Sequence, residues 1–125
     1  MDRTEQVVEF FRAWESGDVD RVVAWFTDDA VYHNVPMERV EGRVAIRALL
    51  TAWMDGLRGI TFEFVHLVAD GDVVLMERVD VVPRPGGEMR LPIMGVIEFD
   101  GALISAWREY FDVGQMNEQL KATER

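Results

Sequence analysis

Apolar residues recur at helical spacing through the first half of the chain and alternate through most of the second. From Thr4 to Ser16, Val7, Val8, Phe11 and Trp14 share one helical face. Gly17 is a natural stop, and Asp18 can cap a second helix in which Val19, Val22, Val23 and Phe26 keep helical spacing to about Thr27. Ala30 to Val35 reads as a short strand ended by Pro36. A third helix is predicted from about Arg43 to Asp55, with Ile46, Leu49, Leu50 and Trp53 as its apolar stripe. The remainder reads as strands: Ile60 to Ala69, Val73 to Val82, Met89 to Phe99 and Leu103 to Phe111. Asp70-Gly71 and Asp100-Gly101 are hairpin turns, and Pro83 to Gly87 is expected to be a loop. Pro92 and Gly95 predict a kink or bulge in the third of these strands. Helices followed by a run of antiparallel strands give an α+β fold. A curved sheet with helices on one face would enclose a pocket between the layers.

The length of 125 residues fits one domain, spanning 1–125. A net charge of −10 repels phosphate backbones, so no nucleic-acid partner is expected. The chain has no cysteine, which excludes disulfides, thiolate metal sites and cysteine nucleophiles. The opening MDRTEQVVEFF lacks the apolar stretch of a signal peptide, and no apolar run approaches the roughly 20 residues of a membrane span. The expectation is a cytoplasmic protein with no membrane partner.

Three patterns on the predicted strands carry chemistry, because residues two apart share a strand face. Arg78 and Asp80 lie on the face that carries Val74, Met76 and Val82. Charges on an apolar face are expensive unless they pair. Alternation does not say which face is buried, so a solvated Arg78 and Asp80 with Leu75, Val79 and Val81 inside is an equal reading. Trp107, Glu109 and Phe111 share a second face, which sets a carboxyl between two aromatics; Arg78 could be its cation, or the pair could be an exposed salt bridge. Tyr32 and Asn34 share a third, and between them could hold one water, although asparagine before a proline also suits a turn. His33 and His66 lack metal-ligand spacing and read as structural or surface residues; no metal site is expected. Met54, Met76, Met89, Met94 and Met116 suggest an adaptable apolar lining, or ordinary core.

Taken together, Glu77–Asp80 (ERVD), Leu91–Val96 (LPIMGV) and Trp107–Asp112 (WREYFD), with Tyr32 and Asn34 upstream, resemble the limonene-1,2-epoxide hydrolase family. The resemblance extends over nearly the whole chain. It implies the NTF2-like, or SnoaL-like, cone: a curved mixed β-sheet with N-terminal helices packed on its concave face. It also implies epoxide hydrolysis to a vicinal diol, with no metal, no organic cofactor and no covalent intermediate. On that pattern Asp80 is the general acid, Arg78 bridges the two carboxyls, and Glu109 takes a proton from water held by Tyr32 and Asn34. The Trp107 ring N–H could then donate to the acid's carboxyl. The family usually has aspartate at the position of Glu109, and one extra methylene alters its reach.

The substrate-binding candidates are Trp107, Trp14, Trp53, Leu57 and Phe62, joined by Val82, Leu91, Ile93, Phe111 and Met116. Their bulk suits a small apolar epoxide. The resemblance further implies a homodimer packed through the outer face of the sheet. Two other readings stand beside this one. An enzyme like a ketosteroid isomerase or polyketide cyclase would use a carboxylate base with neutral donors, which Arg78 beside Asp80 disfavours. A non-catalytic module binding apolar ligands on the same fold is the third reading.

Overall fold

The helical and alternating stretches form two layers, a curved six-stranded sheet and the helices against its inner face. The computed structural model describes residues 1–123. Its elements are α1 (Arg3–Glu15), α2 (Val19–Val23), β1 (Phe26–Asn34), β2 (Val40–Glu41), α3 (Arg43–Met54), β3 (Thr61–Asp70), β4 (Val73–Arg84), β5 (Gly87–Asp100), β6 (Leu103–Tyr110) and α4 (Val113–Ala122). The sheet order is β2-β1-β6-β5-β4-β3, with β1 and β6 parallel and every other pair antiparallel. This is the mixed α+β cone that the resemblance implied.

Local signals account for the starts of α1 and α2. Asp2 accepts from the Glu5 N–H at 2.9 Å, and Asp18 accepts from the Asp20 N–H at 3.0 Å, satisfying donors that the first turns leave over. Val7, Phe10, Phe11 and Trp14 of α1, Val22 of α2, and Ile46 and Leu50 of α3 pack inward on Phe26, Val74, Met76, Ile97, Ile104 and Trp107 of the sheet. Trp107 is the centre of this core. Its ring meets Phe10 edge-on at 5.0 Å between centroids and stacks on Tyr32 at 4.2 Å.

Three features differ from the sequence expectation, each for a reason outside the local pattern. The second helix ends at Val23 instead of continuing to Thr27, because the Trp25 carbonyl accepts from the Ile104 N–H at 2.7 Å and Phe26 enters the sheet beside β6. The loop expected over Pro83 to Gly87 is shorter: Pro83 pairs with Glu88 and Arg84 with Gly87, leaving Pro85-Gly86 as the turn. The expected interruption at Pro92 and Gly95 is absent, since β5 pairs with β4 in one unbroken register. Pro92 is harmless because β6 pairs only with Met94 and beyond. The Arg90 N–H points away from β4, to the Gln119 side chain of α4 at 2.7 Å, and two residues on Pro92 presents its missing donor to that same open side. The irregularities fall instead between Phe26 and Val31 in β1, between Phe64 and His66 in β3, and at Ser105 of β6, opposite Glu98 and Phe99.

β2 and α4 are further elements without a counterpart in the expectation. The signal for α4 is present: Asp112 caps it, accepting from the Gln115 N–H at 3.0 Å, and Met116 and Leu120 share a face one turn apart. No helix among the described residues is long and apolar enough to cross a membrane.

Candidate active site

The sheet decides the question of faces that alternation left open. Val74, Met76 and Arg78 of β4 are buried, whereas Leu75 is 49% exposed. The charged face of β4 therefore looks inward, and Asp80 lies at the rim of that interior with 14% of its side chain exposed. On β6, Trp107 and Glu109 are each 2% exposed and face the same way. On β1, Tyr32 stands opposite Trp107 and Asn34 opposite Glu109 in the parallel register. Three strands thus aim Arg78, Asp80, Glu109, Tyr32 and Asn34 into one cavity of about 450 Å³.

Arg78 organises the polar end. Its Nε donates to Asp80 Oδ1 at 2.7 Å, and Nη2 donates to Asp80 Oδ2 at 3.1 Å and to Glu109 Oε1. Nη1 donates to Glu109 Oε2 at 2.9 Å and to the Met76 sulfur at 3.4 Å. All five guanidinium N–H groups have acceptors, which a buried arginine requires. Phe11 lies under the guanidinium at 4.4 Å, adding an aromatic face to the cation.

Burial and charge set the protonation of this cluster. Burial by itself disfavours the Arg78 cation, but Glu109 and then Asp80 outweigh it and hold its pKa above the ordinary arginine value. Burial pushes Glu109 up to about 7 against the opposing pull of Arg78. Burial, and then the Glu109 charge, raise the Tyr32 hydroxyl, so it stays a neutral donor. It donates to Asn34 Oδ1 over a long 3.4 Å.

Every substrate-binding candidate lines this cavity: Trp14, Trp53, Leu57, Phe62, Val82, Leu91, Ile93, Trp107, Phe111 and Met116 form much of its wall. Met89, one of the methionines read as lining, is there too, and Met37, Ala52, Gly56 and Ile60 line it as well and were not anticipated. Ile60 could have been found from strand alternation, since it stands just before β3 and two residues from the inward Phe62. Met37, Ala52 and Gly56 reach the wall only through the fold of the β1–β2 connection and the far end of α3. Two expectations are corrected. Met94 is 55% exposed on the outer face of the sheet, because the unbroken register of β5 turns it away from the cavity. Among the described residues the Trp107 ring N–H makes no hydrogen bond to Asp80 or any other group, although it lies close enough to Glu109 to favour its ionised form slightly. Trp14, also at this wall, carries a second buried ring N–H without a partner among the described residues. His33 and His66 lie apart from the cavity, against the Met37 carbonyl and Glu77 respectively, each at 3.0 Å.

The SnoaL-like domain family matches residues 7–107. The chain belongs to the SnoaL-like family. Epoxide hydrolase EphG of Mycobacterium tuberculosis is 36% identical over 110 residues, covering 88% of this chain and 73% of that protein. The solved structure of an M. tuberculosis LEH-like epoxide hydrolase superposes with a TM-score of 0.82 at 33% identity, covering 97% of this chain and 90% of the other. The epoxide hydrolase/cyclase-like enzyme SalBIII, described in pyran ring formation in the polyether salinomycin, superposes with a TM-score of 0.79 at 26% identity, covering 90% and 92% of the two chains. Within the SnoaL-like family this chain therefore stands with the epoxide-hydrolase-like members.

Proposed function

We propose that the protein hydrolyses small apolar epoxides to vicinal diols by one-step attack of water. The single observation that carries the reading is Arg78, 2% exposed, held between two carboxylates at the end of an otherwise apolar cavity. An epoxide has strain to release but leaves as an alkoxide, so it needs a proton delivered as the C–O bond breaks. Water is a weak nucleophile and needs a proton removed in the same step. Each transfer contributes about 10²–10⁴-fold.

Asp80 is the donor in this reading, at the accessible rim of the cluster, and Glu109 is the acceptor. Tyr32 and Asn34 stand beside Glu109 through the β1–β6 register, so the water they hold lies on its side of the cavity. Water loses one proton to Glu109, the epoxide oxygen gains one from Asp80, and the diol forms with no net proton change. Asp80 and Glu109 then hold each other's protonation state and exchange it before the next turnover. Arg78 keeps one negative charge acceptable inside throughout. The reaction needs neither metal nor organic cofactor. An isomerase-like reading with Asp80 as a free base fits poorly with its two contacts to Arg78.

The raised pKa of Glu109 suits the opposite assignment, with Glu109 as donor, and an external nucleophile separates the two. Azide attacks without losing a proton, so it bypasses the base but not the acid. Glu109→Gln should be inert in water yet form azido alcohol, while Asp80→Asn should form neither product. The reverse pattern would exchange the roles. Wild-type hydrolysis by Asp80→Asn would end the proposal.

The outer face of the sheet supports the companion proposal of a homodimer. Val68, Leu75, Met94 and Tyr110 are each about half exposed there.

A further inference from the structure

Arg78 and Glu109 do not sit on neighbouring strands. β5 runs between β4 and β6, so the two side chains meet across a distance of roughly 10 Å of sheet. The residue beneath their contact is Gly95, opposite Met76 on one side and Glu109 on the other. A Cβ on Gly95 would lie 2.5 Å from Glu109 Oε2, 3.1 Å from Arg78 Nη1 and 3.1 Å from Met76 Cγ. The backbone does not call for glycine here, since Gly95 is not among the positive-φ residues. Glycine within a strand weakens it, and here the close approach of other groups gives it a use. Met76 is 1% exposed and leaves no slack on its side.

We infer that Gly95 is a positioning residue whose missing side chain is the space in which the Glu109 carboxylate lies against Arg78. The inference rests on the hydrolase reading for its kinetic consequences, but the geometry stands apart from it. Glutamate reaches further than aspartate, and the gap over β5 is where its carboxylate is received. A methyl group at this position drives Oε2 off Nη1 and turns the carboxylate away from the water site. A shorter acid withdraws its oxygens from the methyl group and refits. Glycine at 95 and the length of the acid at 109 are thus coupled.

The test is the cycle of Gly95→Ala, Glu109→Asp and the double variant, followed by epoxide turnover and by carboxyl-carbon NMR titration of residue 109. Gly95→Ala should lower kcat by about 10²-fold with KM nearly unchanged, the scale expected of an ångström of misplacement. Its Glu109 should titrate higher than in the wild type, having lost cation contact while still buried. Adding Glu109→Asp to Gly95→Ala should raise kcat at least about tenfold over Gly95→Ala alone, a coupling that independent sites would not show. If Gly95→Ala does not fold, recovery of a cooperative melt in the double variant supports the inference equally, and a double variant that also fails to fold overturns it. Wild-type kcat and an unmoved Glu109 titration in Gly95→Ala overturn it, as does a double variant no better than Gly95→Ala. Should the wild type turn over no epoxide, the hydrolase reading fails, and the titration alone decides the role of Gly95.

Discussion

At the scale of single residues, Arg78 and Glu109 are an expensive pair made tolerable by their contacts. Removing one partner of a buried ion pair costs about 3–5 kcal/mol, because the other is left unpaired. Arg78→Ala should therefore lose both activity and stability, measurable as a fall in the urea midpoint. Glu109 adds a pH dependence with a definite sign. Its pKa rises on folding from 4.5 to about 7, so between those values the folded state binds more protons than the unfolded one. The stability it contributes is complete below 4.5, is lost as pH rises, and is gone above about 7. At about 1.4 kcal/mol per pH unit, the slope is large enough to see in thermal melts across pH 5 to 8. Glu109→Gln should flatten it; an unchanged slope in that variant would place the effect elsewhere. As the base, Glu109 must also be ionised, so the acid limb of kcat/KM should rise through about pH 7.

At the scale of elements, α4 matters more than its length suggests. Gln119 accepts from the Arg90 N–H and donates to the Arg90 carbonyl, both at 2.7 Å, replacing the strand partner that β5 lacks beyond the end of β6. Met116 and Leu120 then pack on Ile60, Val82 and Met89, and Met116 closes part of the cavity wall. Gln119→Ala should free this helix. The expected loss is about 1–2 kcal/mol for two hydrogen bonds, with faster amide exchange over residues 113–122 and a raised KM. Exchange that speeds uniformly over the whole chain would mean that α4 is not the part released.

At the scale of the whole molecule, the two faces of the sheet divide the work. The inner face holds the polar cluster within a wall of aromatics and aliphatics, and the outer face carries a scatter of half-exposed apolar residues. If the outer face joins two copies, Leu75→Glu combined with Met94→Glu should convert a dimer to a monomer of 14.3 kDa in sedimentation equilibrium, with the cavity intact. A wild type that already sediments as a monomer would sink the dimer proposal.

The sequence by itself determined most of the elements, all but β2 and α4, because helix caps and apolar periodicity are local properties. Asp18 and the stripe of Ile46 and Leu50 needed no tertiary information. It also supplied the polar residues of the cavity, since alternation groups Tyr32 with Asn34, Arg78 with Asp80, and Trp107 with Glu109. It could not orient those groups. A strand pattern is symmetric between its two faces, and only the helices laid over Met76 and Trp107 made the charged side of β4 the inside. Nor could it reveal that Trp25 would leave its helix to pair with the distant β6, that Gln119 would stand in for a missing strand, or that Gly95 lies beneath the contact of two residues on non-adjacent strands. Those are facts about neighbours far apart in the chain, and local patterns carry no record of them.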